Sequence, residues 1–134
     1  MRRERGFGAL ALTLLASLSL AACGDNGGQP TNRGDLLVAY YQGGPEPGAL
    51  LVTITGGAVE NVTAVGGQVV SFASPASGTT RVVVMGSFTT GDLLRLRVPD
   101  IALSTNYAVR VEQVADKVTY ALIDPTKYTF TVHR

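Results

Sequence analysis

From Leu36 onward, apolar residues recur at every second position. Leu50, Val52 and Ile54 alternate with Leu51, Thr53 and Thr55, and Leu94, Leu96 and Val98 alternate with Arg95 and Arg97. Tyr107, Val109 and Val111 alternate with Ala108, Arg110 and Glu112, and Tyr128, Phe130 and Val132 with Thr129 and Thr131. A strand sends successive side chains to opposite faces, so each run predicts one buried and one wet face. A helix would need apolar residues three and four apart, and no segment after residue 23 has that spacing. Abundant valine, threonine and tyrosine also favour strands.

Gly43-Gly44, Gly56-Gly57, Gly66-Gly67, Gly78, Gly86 and Gly91-Asp92 punctuate these runs. Short strands with a turn about every ten residues predict an antiparallel sandwich or barrel. The expected strands cover residues 36–42, 49–55, 59–65, 68–74, 80–86, 92–98, 106–114, 117–122 and 127–132. Pro45, Pro47, Pro75, Pro99 and Pro125 are expected outside them, because proline lacks a ladder donor. The fold class is therefore all-β: a single antiparallel β-sandwich, jelly-roll or immunoglobulin-like, over residues 36–134.

The first 35 residues follow another logic. Arg2, Arg3 and Arg5 precede a run from Phe7 to Ala22 that holds 16 residues and no charge. A basic start followed by an apolar stretch is the layout of a secretory signal peptide. A bilayer core of about 30 Å needs about 20 helical residues, so the run is short for a permanent span. It ends in Leu20-Ala21-Ala22-Cys23-Gly24, which resembles the bacterial lipobox. That resemblance implies cleavage between Ala22 and Cys23, and acyl chains such as palmitate on Cys23. A thiolate is the best side-chain nucleophile for forming a thioether near neutral pH. Each buried methylene contributes about 0.8 kcal/mol, so two or more chains hold a protein to a bilayer where one would not. Cys23 is the only cysteine, so it has no partner for a disulfide within the chain. The expected organisation is a cleaved signal helix over 1–22, a lipidated Cys23 with a flexible tether over 23–35, and the sandwich over 36–134.

Cleavage there would leave eight basic and nine acidic residues, a formal charge near −1. The slight basicity of the whole chain belongs to the signal segment, which argues against a nucleic-acid partner. The tether, GDNGGQPTNRGD, offers almost nothing to bury and would span on the order of 20 Å as a coil. It contains Arg33-Gly34-Asp35, a tripeptide that integrin ligands carry, but three common loop residues meet by chance in many tethers.

Chemistry-bearing patterns are sparse. The single histidine, His133, stands next to the C-terminus, where solvated strand ends are the rule. One cysteine excludes a cysteine metal cluster. Six carboxylates, Glu60, Asp92, Asp100, Glu112, Asp116 and Asp124, are candidates for paired acid/base work, yet no spacing selects a pair. Asp116 and Asp124 flank one predicted strand and could share a calcium ion, although two independent turn caps explain them as well. The expectation is a non-catalytic chain with no cofactor beyond the lipid on Cys23. Arg81, Arg95, Arg97 and Arg110 alternate with core positions. Alignment on neighbouring strands would make them a stripe able to hold an anionic glycan or a partner's acidic edge. Otherwise they are the wet face of the sandwich, with Glu112 beside one arginine. Tyr40 and Tyr41 must point to opposite faces. Leu37 to Gln42 is the candidate for an unpaired edge strand.

The segments GALLVTITGGAVENVTAV (48–65) and GDLLRLRVPD (91–100) resemble parts of cohesin-type domains. The resemblance covers residues 36–132 as a pattern and carries over no individual binding residue. It implies a jelly-roll-like sandwich of the carbohydrate-binding group that grips a partner module through a sheet face. The functional expectation is a membrane-anchored lipoprotein that binds a partner protein or an envelope polysaccharide. Its expected location is the cell envelope, with the outer membrane favoured because Gly24 follows the cysteine. The alternative is an assembly subunit that offers an edge strand.

Overall fold

The computed structural model describes residues 32–134, so Ala22, Cys23 and the signal-like segment lie outside the described residues. In chain order the strands are β1 (Gly34–Gln42), β2 (Pro47–Thr55), β3 (Asn61–Ala64), β4 (Val69–Ala76), β5 (Thr79–Met85), β6 (Gly91–Val98), β7 (Ala108–Asp116), β8 (Leu122–Ile123) and β9 (Tyr128–His133). They form two antiparallel sheets, ordered β3-β6-β1-β9 and β4-β5-β2-β7-β8. The sheets pack face to face as the all-β sandwich that the alternation predicts.

The core is the inward half of that alternation. Leu36, Val38 and Tyr40 of β1 meet Leu94, Leu96 and Val98 of β6 on one inner face. Leu50, Val52 and Ile54 of β2 and Val82 and Val84 of β5 supply the other. Each such side chain contributes about 1.5–3 kcal/mol when fully buried. Tyr40 is fully buried, whereas its neighbour Tyr41 is 60% exposed, as opposite faces require. The Tyr40 ring sits 5.4–6.3 Å from the rings of Phe88, Phe130 and Tyr128.

Gly34 opposes Val98, and His133 opposes Leu37. Residues 32–34 and 133–134 therefore share one end of the sandwich, the entry end. The connections 43–46, 65–68, 86–90 and 117–121 gather at the opposite, far end. Glu46 ties three of them together. Its carboxylate accepts from Lys117 Nζ at 3.0 Å and from the Phe88 amide at 3.4 Å.

Several expectations need correction. β1 starts at Gly34, so the tether gives way to the sandwich two residues early. β1 is also no edge: β6 pairs with Gly34–Tyr40 and β9 with Leu37–Gln42, so the segment Leu37–Gln42 lies between two strands rather than at a free edge. Pro47 opens β2 and Pro75 lies within β4. Both are tolerated, the first as a strand's initial residue and the second beside a bulge on an edge strand. The strand expected at 117–122 is a turn followed by the two-residue β8. Asp116 Oδ1 accepts from the amides of Val118 and Thr119, each at 2.8 Å, and this bends the chain. Two short 3-10 helices, Ile101–Asn106 and Pro125–Lys127, join strands where no helix is expected. Asp100 and Asp124 cap them by accepting from Ala102 and Thr126, each at 2.9 Å.

Candidate binding surfaces

The four arginines do not form one stripe. Arg81 on β5 and Arg110 on β7 both oppose Thr53 of β2, on the outer face of the five-stranded sheet. Arg95 and Arg97 stand on β6, which pairs only with β1 and β3 in the other sheet. The arginines thus divide into two pairs on two separate outer faces.

Each pair surrounds a carboxylate. Asp35 accepts from Arg97 Nε at 2.7 Å and lies 3.9 Å from Arg95. Asn61 and Thr63 complete a polar hollow of about 190 Å³ there. Arg33 pairs with Glu60 at 3.3 Å, so Arg33 and Asp35 of the integrin-like tripeptide are both engaged by the sandwich. On the other sheet, Glu112 Oε1 accepts from Arg110 Nη2 at 2.8 Å and from Thr53 Oγ1 at 2.9 Å. The hydrogen bond from Arg110, and then that from Thr53, holds the Glu112 carboxyl below its ordinary pKa. Arg81 has no carboxylate within ion-pairing distance among the described residues, so two cations share one anion in this row.

The other titratable candidates are dispersed. His133 Nε2 lies 2.7 Å from Asp92 Oδ1, across β1 on the outer face of the four-stranded sheet, and this bond raises the imidazole pKa. Asp116 and Asp124 each serve their own turn. Among the described residues, no group of three His, Cys, Asp or Glu side chains is placed to hold a metal ion. A cleft of about 360 Å³ opens along the side between β7 and β9, lined by Val109, Val111, Tyr128 and Phe130 with Arg110 at its lip. It exists because β8 covers only Val114 and Ala115 of β7.

The larger feature is apolar, and period-two reading alone does not reveal it. On the outer face of the five-stranded sheet, register aligns Val69, Met85, Ala49, Ala115 and Leu122 across all five strands. The next row toward the entry end is Ser71, Val83, Leu51 and Gln113, followed by Ala73, Arg81, Thr53 and Arg110. Val69 is 62% exposed, Met85 46% and Leu122 68%. Ala49, Leu51, Val83, Ala115 and Leu122 line a shallow hollow of about 200 Å³. The turn at 117–121 stands beside it and exposes Val118 and Tyr120. Tyr120 has φ +56°, the left-handed region that a non-glycine residue seldom occupies. Strand spacings of about 4.8 Å and a same-face repeat near 6.7 Å give the apolar row, with Leu51 and Val83 beside it, an area on the order of 200 Å². The sequence signal was present in Leu51, Val83 and Met85, apolar residues on faces that should be wet, but only the register joins them.

No family model, curated protein or solved structure matches the chain.

Proposed function

We propose that this chain is a lipid-anchored, non-catalytic binding module that holds a partner protein against the far end of its five-stranded sheet. The observation that carries this reading is the apolar row Val69, Met85, Ala49, Ala115 and Leu122 on the outer face, with Val69, Met85 and Leu122 exposed. A sugar platform uses flat aromatic rings, and this surface is aliphatic apart from Tyr120 at its margin. An aliphatic surface with a rim of Arg81, Arg110 and Glu112 suits a protein surface of similar anatomy, an apolar centre and a polar edge. Binding through a sheet face is also what the cohesin resemblance implies. The envelope polysaccharide is the weaker reading.

Acylated Cys23 would act as the anchor, and the tether up to Arg33 meets the sandwich at its entry end. The apolar row would then face away from the bilayer, open to a partner in the compartment beyond. Confinement near the membrane raises effective concentration without any new contact. Cys23→Ala is expected to move the protein from the membrane to the soluble fraction. Met85→Lys combined with Leu122→Lys is expected to abolish partner capture while membrane retention persists. Capture that survives the double lysine variant would contradict the holding role of this face, and membrane retention of Cys23→Ala would contradict the anchor.

A further inference from the structure

We propose that two copies of this chain pair through the outer edge of β4 and join their five-stranded sheets into one ten-stranded sheet. This does not depend on what the outer face holds. β4 is an edge strand, and no other strand among the described residues pairs with its outer side. Its eight residues, VVSFASPA, contain no charge. Natural edges are usually blunted by lysines, prolines, bulges or brevity. Here Pro75 and the irregularity between Ala73 and Ala76 blunt only the last part, leaving Val69 to Ala73 straight and open. The free edge of β7, by contrast, carries the charges of Arg110 and Glu112 and opens on the cleft beside β9.

The occupant follows from self-complementarity. An antiparallel two-fold axis at Ser71 sets Val70 against the second copy's Phe72 on the core-side face. It sets Val69 against Ala73, and Ser71 against Ser71, on the outer face. Aromatic with β-branched, aliphatic with aliphatic, and hydroxyl with hydroxyl are favourable cross-strand pairs, and no like charges meet. Phe72 is 37% exposed and Val69 62%, so both have surface to lose. The tether up to residue 31 would be a poor occupant, since Gly24–Thr31 holds no apolar side chain but that of Pro30, which has no amide hydrogen for a ladder. An interface of one strand pair is smaller than the roughly 800 Å² per partner of a standard complex, so the pairing is expected to be weak and concentration-dependent.

Analytical ultracentrifugation of the purified chain over a wide micromolar range tests this. The wild type is expected to shift from monomer to dimer, and Ser71→Lys and Ser71→Asp are each expected to stay monomeric. An equimolar mixture of the two variants is expected to recover the dimer, because lysine then faces aspartate at the axis. Melting temperatures close to wild type would show that the exposed substitutions leave the fold intact. A wild type that stays monomeric, or a dimer indifferent to Ser71→Lys, overturns the proposal. Failure of the mixture to recover the dimer overturns the register. A monomer whose β4 amides resist hydrogen exchange would assign the edge to another occupant, such as the chain's own first residues, and overturns it as well.

Discussion

Gly56 has φ +104°, and a methyl group on it would run into the carbonyl of Asn106. Both the backbone conformation and the contact exclude a side chain there. Gly56→Ala is expected to cost about 2 kcal/mol or more, roughly 10 °C in a domain of this size, read by thermal unfolding. Gly67, whose Cβ position is open and whose φ is ordinary, serves as the control, and Gly67→Ala is expected to change little. His133 supplies a pH signature. Its hydrogen bond to Asp92 raises its pKa above 6.5 in the folded state. The raised value means that its stabilising contribution is fully present below about pH 6.5 and is lost as pH rises through the folded pKa. Asp92→Asn is therefore expected to destabilise the protein more at pH 5.5 than at pH 8.5, and to lower the His133 midpoint in an NMR titration. An unchanged midpoint would mean that the pair does not form in solution.

The turn between β7 and β8 is the element where conformation and exposure conflict. Asp116 gathers the amides of Val118 and Thr119, and Tyr120 is left with positive φ and a side chain 77% exposed. Glycine would occupy that conformation without strain, so Tyr120→Gly is expected to hold or raise the melting temperature by the equivalent of up to about 1 kcal/mol. The same variant is expected to weaken partner capture if the tyrosine borders the binding face. A fall in both stability and capture would make Tyr120 structural. Elements also show what could be read from the sequence. The alternations around Leu50 and Phe130 identify β2 and β9 because each keeps its phase, and that from Leu94 to Val98 identifies the greater part of β6. Local pattern misses the phase slips. Leu93 and Leu94 are both buried because register shifts beside Val38. Val111 and Val114 share a face because it shifts again between Leu51 and Val52. The two-residue β8 and the capped 3-10 helices depend on single aspartates, and period counting gives those no weight. Sheet order depends on contacts far apart in sequence, so neither the internal place of β1 nor the separation of the arginines was legible.

For the whole molecule, the distribution of exposed apolar residues matters more than their number. Among the described residues, Tyr41, Val65, Val69, Met85, Val118, Tyr120 and Leu122 lie toward the far end, Phe72 and Val83 lie in mid-strand, and Leu103 is the exposed large apolar residue of the entry end. A lipid-anchored sandwich entered at residue 32 would present the richer end outward. Glu46 makes that end a unit by joining three connections, so Glu46→Ala is expected to speed hydrogen exchange at 117–121 and 86–90 together. Paired antiparallel β4 edges would put two outer faces on one side of the joined sheet, with their far ends pointing in opposite directions, and so double the valency of the face. The most direct test is site-specific photocrosslinking in intact cells, with the photoreactive residue placed in turn at positions 85, 122 and 103. One discrete protein adduct, shared by 85 and 122 and absent at 103, is expected. Adducts from 103 alone, or none from 85 and 122 when the protein is membrane-bound, would contradict the holding role.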